Sequence, residues 1–306
     1  MTLTQEFEEL RPLLFSIAYR ILGSVSETED ALQETWLRCE ASPTQPVSAK
    51  AFLSATVTRV AIDVLRSARV RRESYVGSWF PEPLLEDPYD DPQRSAELAD
   101  SLSMATLVLL ERLSPLERAV FVLREVFGFD FAEVASAVGR SEVACRQLAR
   151  RARRHVDAGR PRFEADRKAR DELAARFFDA LQSGDVDGLQ KLLAADVELA
   201  ADGGGKAPAL TRSLFGADKV AHALASVSLL GPIGIRLEPR QVNGQPGAIF
   251  FDRDNDVVFT LTIDIFEGQV QTIRSVNNPD KLTQLGSVAN AWEALQVMHQ
   301  ARRSAP

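Results

Sequence analysis

Residues 114–156 read SPLERAVFVLREVFGFDFAEVASAVGRSEVACRQLARRARRHV, and three helices are written into that stretch. Ser114-Pro115-Leu116-Glu117 is a helix start: the serine hydroxyl suits the third backbone N–H, proline suits the first turn, and Glu117 reaches back to the cap. Asp130 and Glu133 repeat that logic at the next helix, where Val134, Ala135 and Val138 point inward. Gly139 supplies a turn, and Ser141 caps a further helix running to about His155. Two helices joined by a short turn containing glycine form the helix-turn-helix pattern. The last helix divides by face. Cys145, Leu148, Ala149, Ala152 and Val156 are apolar; Arg146, Arg150 and Arg153, with Arg154 beside them, are basic. An apolar face against the first helix and arginines outward is the requirement for docking in the major groove, because the guanidinium fork pairs with guanine edges or phosphates. A structural helix pair with a solvated basic face is the plain alternative.

The charge distribution singles out the same place. The chain of 306 residues carries a net charge of −7, which argues against indiscriminate coating of DNA. Residues 140–170 nevertheless hold 11 basic groups against 4 acidic, whereas residues 1–139 hold 13 against 22 and residues 171–306 hold 12 against 17. A short basic segment in an acidic protein is an electrostatic footprint for phosphate. No apolar run approaches the roughly 18 residues of a membrane span, and the polar start MTLTQEFEEL is no secretory signal. Cys39 and Cys145 are far apart, so reduced thiols and a cytoplasmic location are expected; nothing has metal-ligand spacing.

Upstream, Phe7, Leu10, Leu14, Ile17 and Ile21 recur at helical spacing, and Gly23-Ser24 breaks that helix. A second helix is expected from about Ser26 to Glu40, then a loop at 41–48, then a third helix with Leu53, Val57, Val60, Ala61, Val64 and Leu65 as its buried stripe. Residues 76–95 contain Pro81, Pro83, Pro88 and Pro92 and read as a linker, though WFPEPLL is too apolar to be a passive one. Beyond residue 170 the texture changes. Leu173, Phe177, Phe178 and Leu181 mark one helix, and Leu189, Leu192 and Leu193 a short second. Strands are expected at Val197–Ala201, Ile235–Arg240, Ala248–Phe251, Val257–Phe266 and Gln269–Val276, with turns at Asn243-Gly244 and Glu267-Gly268. Helices followed by a meander of strands imply an α+β domain with a curved antiparallel sheet.

Glu29-Asp30-Ala31-Leu32-Gln33-Glu34-Thr35-Trp36-Leu37 resembles the core-binding helix of the extracytoplasmic-function sigma factors. The resemblance implies that Asp30, Gln33, Glu34 and Leu37 face core RNA polymerase while Leu32 and Trp36 point inward. TVTRVAIDVLRSARVRRE resembles the family's promoter-melting helix, which assigns Arg59, Asp63, Arg66, Arg69, Arg71 and Arg72 to the minus-ten element and the loop 41–48 to capture of an unstacked base. Residues 113–156 resemble the reader of the minus-thirty-five element, with Ser141, Arg146, Arg150, Arg153 and Arg154 on DNA.

Three further motifs resemble a subgroup of that family with a fused SnoaL-like C-terminal domain. They are WFPEPL (Trp79, Phe80, Pro81, Glu82, Pro83, Leu84), DGGGK (Asp202, Gly203, Gly204, Gly205, Lys206) and NPDKL (Asn278, Pro279, Asp280, Lys281, Leu282). Phe80 departs from the commoner leucine. The apolar linker residues Trp79, Phe80, Leu84 and Leu85 need a surface to bury on, and the appended domain is the nearest. Glycines permit close approach of a neighbouring segment, and Lys206 is placed to pair with Glu82, Glu86 or Asp87. The implied organisation is a region-2 domain (1–75), a linker (76–100), a region-4 helix-turn-helix domain (101–160), a SnoaL-like regulatory domain (165–285) and a tail (286–306). That is two all-α sigma domains plus an α+β cone. The implied role is promoter-specific initiation with core RNA polymerase and promoter DNA as partners. Regulation is in cis, without a membrane or a conventional anti-sigma partner. No cofactor or metal is expected, and a small ligand of the C-terminal domain stays open.

Two other readings compete. One is a DNA-tethered enzyme of cyclase or isomerase type, for which Asp264 is the best inward carboxylate and His222 and His299 the available histidines. The other is a helix-turn-helix repressor, which has no need of DALQETWLR.

Overall fold

The computed structural model describes residues 3–41, 46–73, 75–89, 98, 101–159, 166–232 and 234–293. The chain divides into two compact units: residues 1–74 with 86–161, and residues 75–85 with 162–306. The proline-rich linker is therefore shared between them.

The first unit is helical: α1 (Leu3–Leu22), α2 (Val25–Glu40), α3 (Ala49–Glu73), α4 (Met104–Leu110), α5 (Pro115–Phe121), α6 (Phe131–Val138) and α7 (Glu142–Gly159). Gly23, at φ 69°, ends α1, and the Ser24 hydroxyl then accepts from Glu27 N to start α2. Leu14, Ile17 and Ile21 of α1 pack with Leu32 of α2 and with Leu53, Val57 and Ala61 of α3 as a buried core. Both capping boxes form, Ser114 with Glu117 and Asp130 with Glu133; losing such a cap costs about 1 kcal/mol. α5 runs into a π-helical turn, Val122–Val126. Gly139 closes α6 in the left-handed conformation at φ 64°.

Among the buried cations of this unit, Arg20 gathers the most partners. Arg20 is fully buried, and its guanidinium donates to Ser101 Oγ (2.7 Å), Leu98 O (2.9 Å) and Asp87 Oδ2 (2.8 Å), with the Phe127 ring 5.5 Å away. Burial pulls its pKa down, and Asp87 opposes that shift.

The second unit contains α8 (Arg167–Ser183), α9 (Val186–Leu192), β1 (Leu193–Asp202), β2 (Leu214–Phe215), α10 (Ala217–Ala225), β3 (Arg236–Val242), β4 (Gln245–Phe251), β5 (Val257–Phe266) and β6 (Gln269–Val276). They form one six-stranded sheet in the order β2-β1-β6-β5-β4-β3. The meander β3 to β6 is antiparallel. β1 instead pairs with β6 in parallel, so the sheet is mixed rather than wholly antiparallel. The chain leaves β1 through α10 and returns with the whole meander, which leaves the open edge of its last strand for β1.

The turn residues Asn243-Gly244 (φ 53° and 68°) and Glu267-Gly268 (φ 51° and 69°) all have positive φ, the signature of tight two-residue hairpins. Because the hairpin is so short, the β3–β4 ladder runs right up to it, and both strands are longer there than their apolar runs implied. β1 likewise begins at Leu193, directly where α9 ends.

Phe177, Leu181, Leu192, Val220 and Leu224 pack on Leu199, Phe250, Leu261, Ile263 and Ile273. The other sheet face carries Asp202, Thr260, Thr262 and Asp264, and these too are buried.

Candidate functional site

On α2, Leu32 is buried and Trp36 packs on Phe7, ring centroids 5.2 Å apart. Asp30, Gln33 and Leu37 are exposed on the outer face, Leu37 at 52%, and Glu34 pairs with Arg38 at 2.7 Å. An exposed leucine among polar residues on a helix otherwise well packed leaves a small mixed patch turned to solvent.

On α3 the basic row is partly engaged. Arg59 donates to the carbonyls of Ala137 (3.0 Å) and Ser136 (2.5 Å), the open C-terminal carbonyls of α6. Asp63 is exposed and pairs with Arg66 at 3.3 Å. The side chains of Arg69, Arg71 and Arg72, and residues 42–45 of the loop, lie outside the described residues.

α7 presents its basic face as the spacing implies: Cys145, Ala149, Ala152 and Val156 are buried, and Arg146, Arg150, Arg153 and Arg154 are exposed. Ser141 Oγ accepts from Ala144 N at 3.2 Å. The arginines are not equivalent, however. Arg146 pairs with Glu142 at 2.7 Å and lies over the Phe131 ring at 4.9 Å. Arg153 pairs with Glu125 at 2.6 Å, and that carboxylate raises its pKa. Arg150 and Arg154 carry no such partner among the described residues.

The three motifs of the second unit meet around one carboxylate. Asp202 is fully buried. Its Oδ1 accepts from Tyr75 Oη (2.5 Å) and Gly204 N (3.1 Å); its Oδ2 accepts from Phe80 N (2.8 Å) and Lys281 Nζ (2.7 Å). Lys281 also donates to Phe80 O, and its ammonium lies 4.3 Å from the Trp79 ring centroid and 4.8 Å from that of Tyr75. The ion pair is thus sealed under two aromatic faces. Tyr75 also accepts from Asn278 Nδ2 at 2.8 Å; burial, and then the hydrogen bond to Asp202, push its pKa above the ordinary 10.0.

The glycines answer a packing need. A Cβ on Gly204, at φ 57°, would lie 2.3 Å from Asn278 Nδ2 and 2.8 Å from Tyr75 Oη. Asn278 caps the turn Pro279–Lys281 by accepting from Asp280 N, and Leu282 is fully buried. Farther along, Leu84 N donates to Asn243 Oδ1 (3.1 Å) and Asn243 N to Leu84 O (2.7 Å), while Gln284 Nε2 donates to Pro83 O. Phe80, Pro81, Glu82 and Leu84 are buried in this unit, and Trp79 is half-buried.

Lys206 corrects its expected pairing. It bonds Asp280 at 2.5 Å, not Glu82, Glu86 or Asp87, because the glycine turn brings it beside the turn after β6; Asp87 is taken by Arg20. Tyr75, Asn243 and Gln284 were missed by the motif reading. Asn243 carried a turn signal but not its second role, and Tyr75 falls outside every motif.

The residues proposed for catalysis are dispersed. Asp264 is buried but held by Arg274, and His222 is exposed on α10, its Nδ1 2.8 Å from Asp218 O. His299 lies outside the described residues, as do Leu295 and Met298 of the tail; Trp292 Nε1 donates to Lys206 O at 2.9 Å. Both cysteines are buried and free. Among the described residues no helix is long and apolar enough to cross a membrane, and no cluster of His, Cys, Asp and Glu is fit to hold a metal.

Comparison with known proteins gives two family models: Sigma-70 region 2 over residues 7–71, and Sigma-70, region 4, over residues 103–156. The ECF RNA polymerase sigma factor SigJ of Mycobacterium tuberculosis is 39% identical over 289 residues, 91% of this chain and 92% of that protein. SigG of the same organism, also an ECF RNA polymerase sigma factor, is 29% identical across 85% of this chain and 76% of its own. Among solved structures, the crystal structure of Mycobacterium tuberculosis extracytoplasmic function sigma factor SigJ superposes with a TM-score of 0.71 at 36% identity, covering 92% of this chain and 98% of that one. The match spans the helical unit and the α+β unit alike.

Proposed function

The chain belongs to the extracytoplasmic-function RNA polymerase sigma factors, and from that premise we propose how its parts divide the work. Its function is to direct promoter-specific transcription, with core RNA polymerase and promoter DNA as partners, and it is not an enzyme. Domain boundaries at 1–75, 101–160 and 165–285, joined by the linker 76–100 and followed by the tail 286–306, suit that task.

The α2 patch of Asp30, Gln33, Glu34 and Leu37 docks on polymerase, where acidic groups meeting a basic partner speed oriented association. Arg59, Asp63, Arg66, Arg69, Arg71 and Arg72 serve the opened minus-ten strand. Ser141, Arg146, Arg150, Arg153 and Arg154 serve the minus-thirty-five duplex. Arg59 must release the α6 carbonyls to do so. The second unit is a regulator in cis. The observation that carries this is Asp202, whose buried carboxylate takes hydrogen bonds from Phe80 of the linker, from Tyr75 just before it and from Lys281 of the domain. Trp79, Phe80, Pro81, Glu82 and Leu84, Asp202 to Lys206 and Asn278 to Leu282 are thus the regulatory contacts. A domain that grips the linker does the work of an anti-sigma factor, so no separate one is needed. The cytoplasm is the site of action, and a small ligand of the domain remains compatible with the role.

Run-off transcription tests both levels. Full-length protein, Asp202→Ala and residues 1–165 are each offered to core polymerase with genomic promoter fragments. Initiation that depends on the full-length protein is expected, with a different yield from both altered forms. Equal yield from all three would remove the regulatory role.

A further inference from the structure

Helix α7 turns two different faces to solvent, and the difference is in what holds each side chain. At 3.6 residues per turn, positions 143, 147, 150 and 154 fall within about 60° of arc, while 146 and 153 lie to one side. The flank is tethered: Arg146 by Glu142 and the Phe131 ring, Arg153 by Glu125. On the central stripe, Val143 is 64% exposed, and Gln147, Arg150 and Arg154 make no side-chain hydrogen bond or ion pair among the described residues.

We propose that Val143 and Gln147 determine the sequence of the minus-thirty-five element, reading a thymine methyl and an adenine respectively beside Arg150, while the tethered Arg146 and Arg153 position the helix on phosphates. This rests on the reading of α7 as the minus-thirty-five helix. The residues near the N-terminus of a recognition helix are the ones that reach base edges. Each side chain on the stripe has its own complement in the major groove. The thymine C5-methyl is the groove's apolar feature, adenine presents the N6 donor and N7 acceptor that a carboxamide matches, and guanine presents O6 and N7 to arginine. Val143 to Arg150 spans about 10 Å of helix, about three base-pair steps, so the three side chains address successive base pairs rather than one. A paired arginine has its fork already committed to a carboxylate, and what it keeps for DNA is charge, which suits a phosphate and carries no sequence information.

The experiment uses the full-length protein with core polymerase and a promoter library randomised across the minus-thirty-five element, scored by transcript sequencing. Gln147→Ala is expected to relax an adenine preference about tenfold. Each thymine in the element chosen by the unaltered protein is then replaced by deoxyuridine, which removes only the methyl. At one position this costs the unaltered protein about fourfold, the worth of one buried methyl. Val143→Ser removes that penalty and Val143→Thr, which keeps a methyl, restores it. A deoxyuridine penalty identical in the unaltered protein and Val143→Ser at every position overturns the Val143 assignment, and an unchanged element for Gln147→Ala overturns the other. If the unaltered protein selects no minus-thirty-five sequence at all, the reading of α7 fails first, and the inference with it.

Discussion

Arg20 in the helical unit and Asp202 in the α+β unit are both fully buried, and each is bonded to part of the linker, Arg20 to Asp87 and Leu98 and Asp202 to Phe80. Arg20 works by donating. Its fork reaches Asp87, the Leu98 carbonyl and Ser101. Asp202 works by accepting, from Tyr75, the Phe80 N–H and Lys281. Buried linker groups such as the Phe80 N–H, which has no helix or strand to satisfy it, still need partners. A single buried charge with several hydrogen-bonding directions supplies them, at the cost of being desolvated itself. The two hubs differ in how that cost is met. Arg20 is balanced by one carboxylate and ends with a lowered pKa. Asp202 has its countercharge, Lys281, enclosed by the Trp79 and Tyr75 rings.

Four perturbations sharpen or break this comparison. Arg20→Met is expected to have the largest effect, about 4 kcal/mol, because it strips several buried acceptors of their donor at once. Urea unfolding followed by helical circular dichroism measures it, and a loss below 1 kcal/mol would mean that Arg20 is incidental. Asp202→Asn keeps the shape but leaves the Lys281 ammonium buried without its countercharge, and is expected to cost about 3 kcal/mol. Tryptophan fluorescence, measured with Trp36 and Trp292 replaced by Phe so that it reports Trp79 alone, should register that unfolding first; an unchanged midpoint would refute the hub.

Gly204→Ala combines a left-handed backbone with overlap onto Asn278 and Tyr75, for an expected loss of about 2 kcal/mol by thermal melting. A neutral result would show that the glycine turn yields easily. The smallest effect is a pH dependence. Tyr75 has a folded pKa raised above its unfolded value, so the unfolded chain releases that proton first as pH rises. Its contribution is whole below pH 10 and is lost above it, by about 1 kcal/mol between pH 10 and 11. The difference in unfolding free energy between the unaltered protein and Tyr75→Phe should show that slope; parallel curves would exclude Tyr75 from the linkage.

The parts that were legible without a structure are those whose cause is local. The Ser114-Glu117 and Asp130-Glu133 boxes, the apolar face of α7, and the bounds of β5 and β6 each depend on residues within one or two turns of each other. The parts that were not legible depend on which distant segments become neighbours. Lys206 had several acids within plausible reach in sequence and took Asp280. The arginines of α7 looked alike until Glu142 and Glu125 claimed two of them. Val143 and Gln147 were passed over because a lone valine and glutamine carry no charge signal; only their exposure and lack of partners singled them out.

Periodicity, caps and turn residues were enough to specify helices, the meander and the helix-turn-helix, because backbone preference is a short-range property. The parallel docking of β1 on β6, the seating of the WFPEPL segment and the choice of partner for each buried charge were decided only on folding. A desolvated charge accepts whichever complement the assembled core brings within hydrogen-bond distance, and that proximity is written in no single stretch of chain.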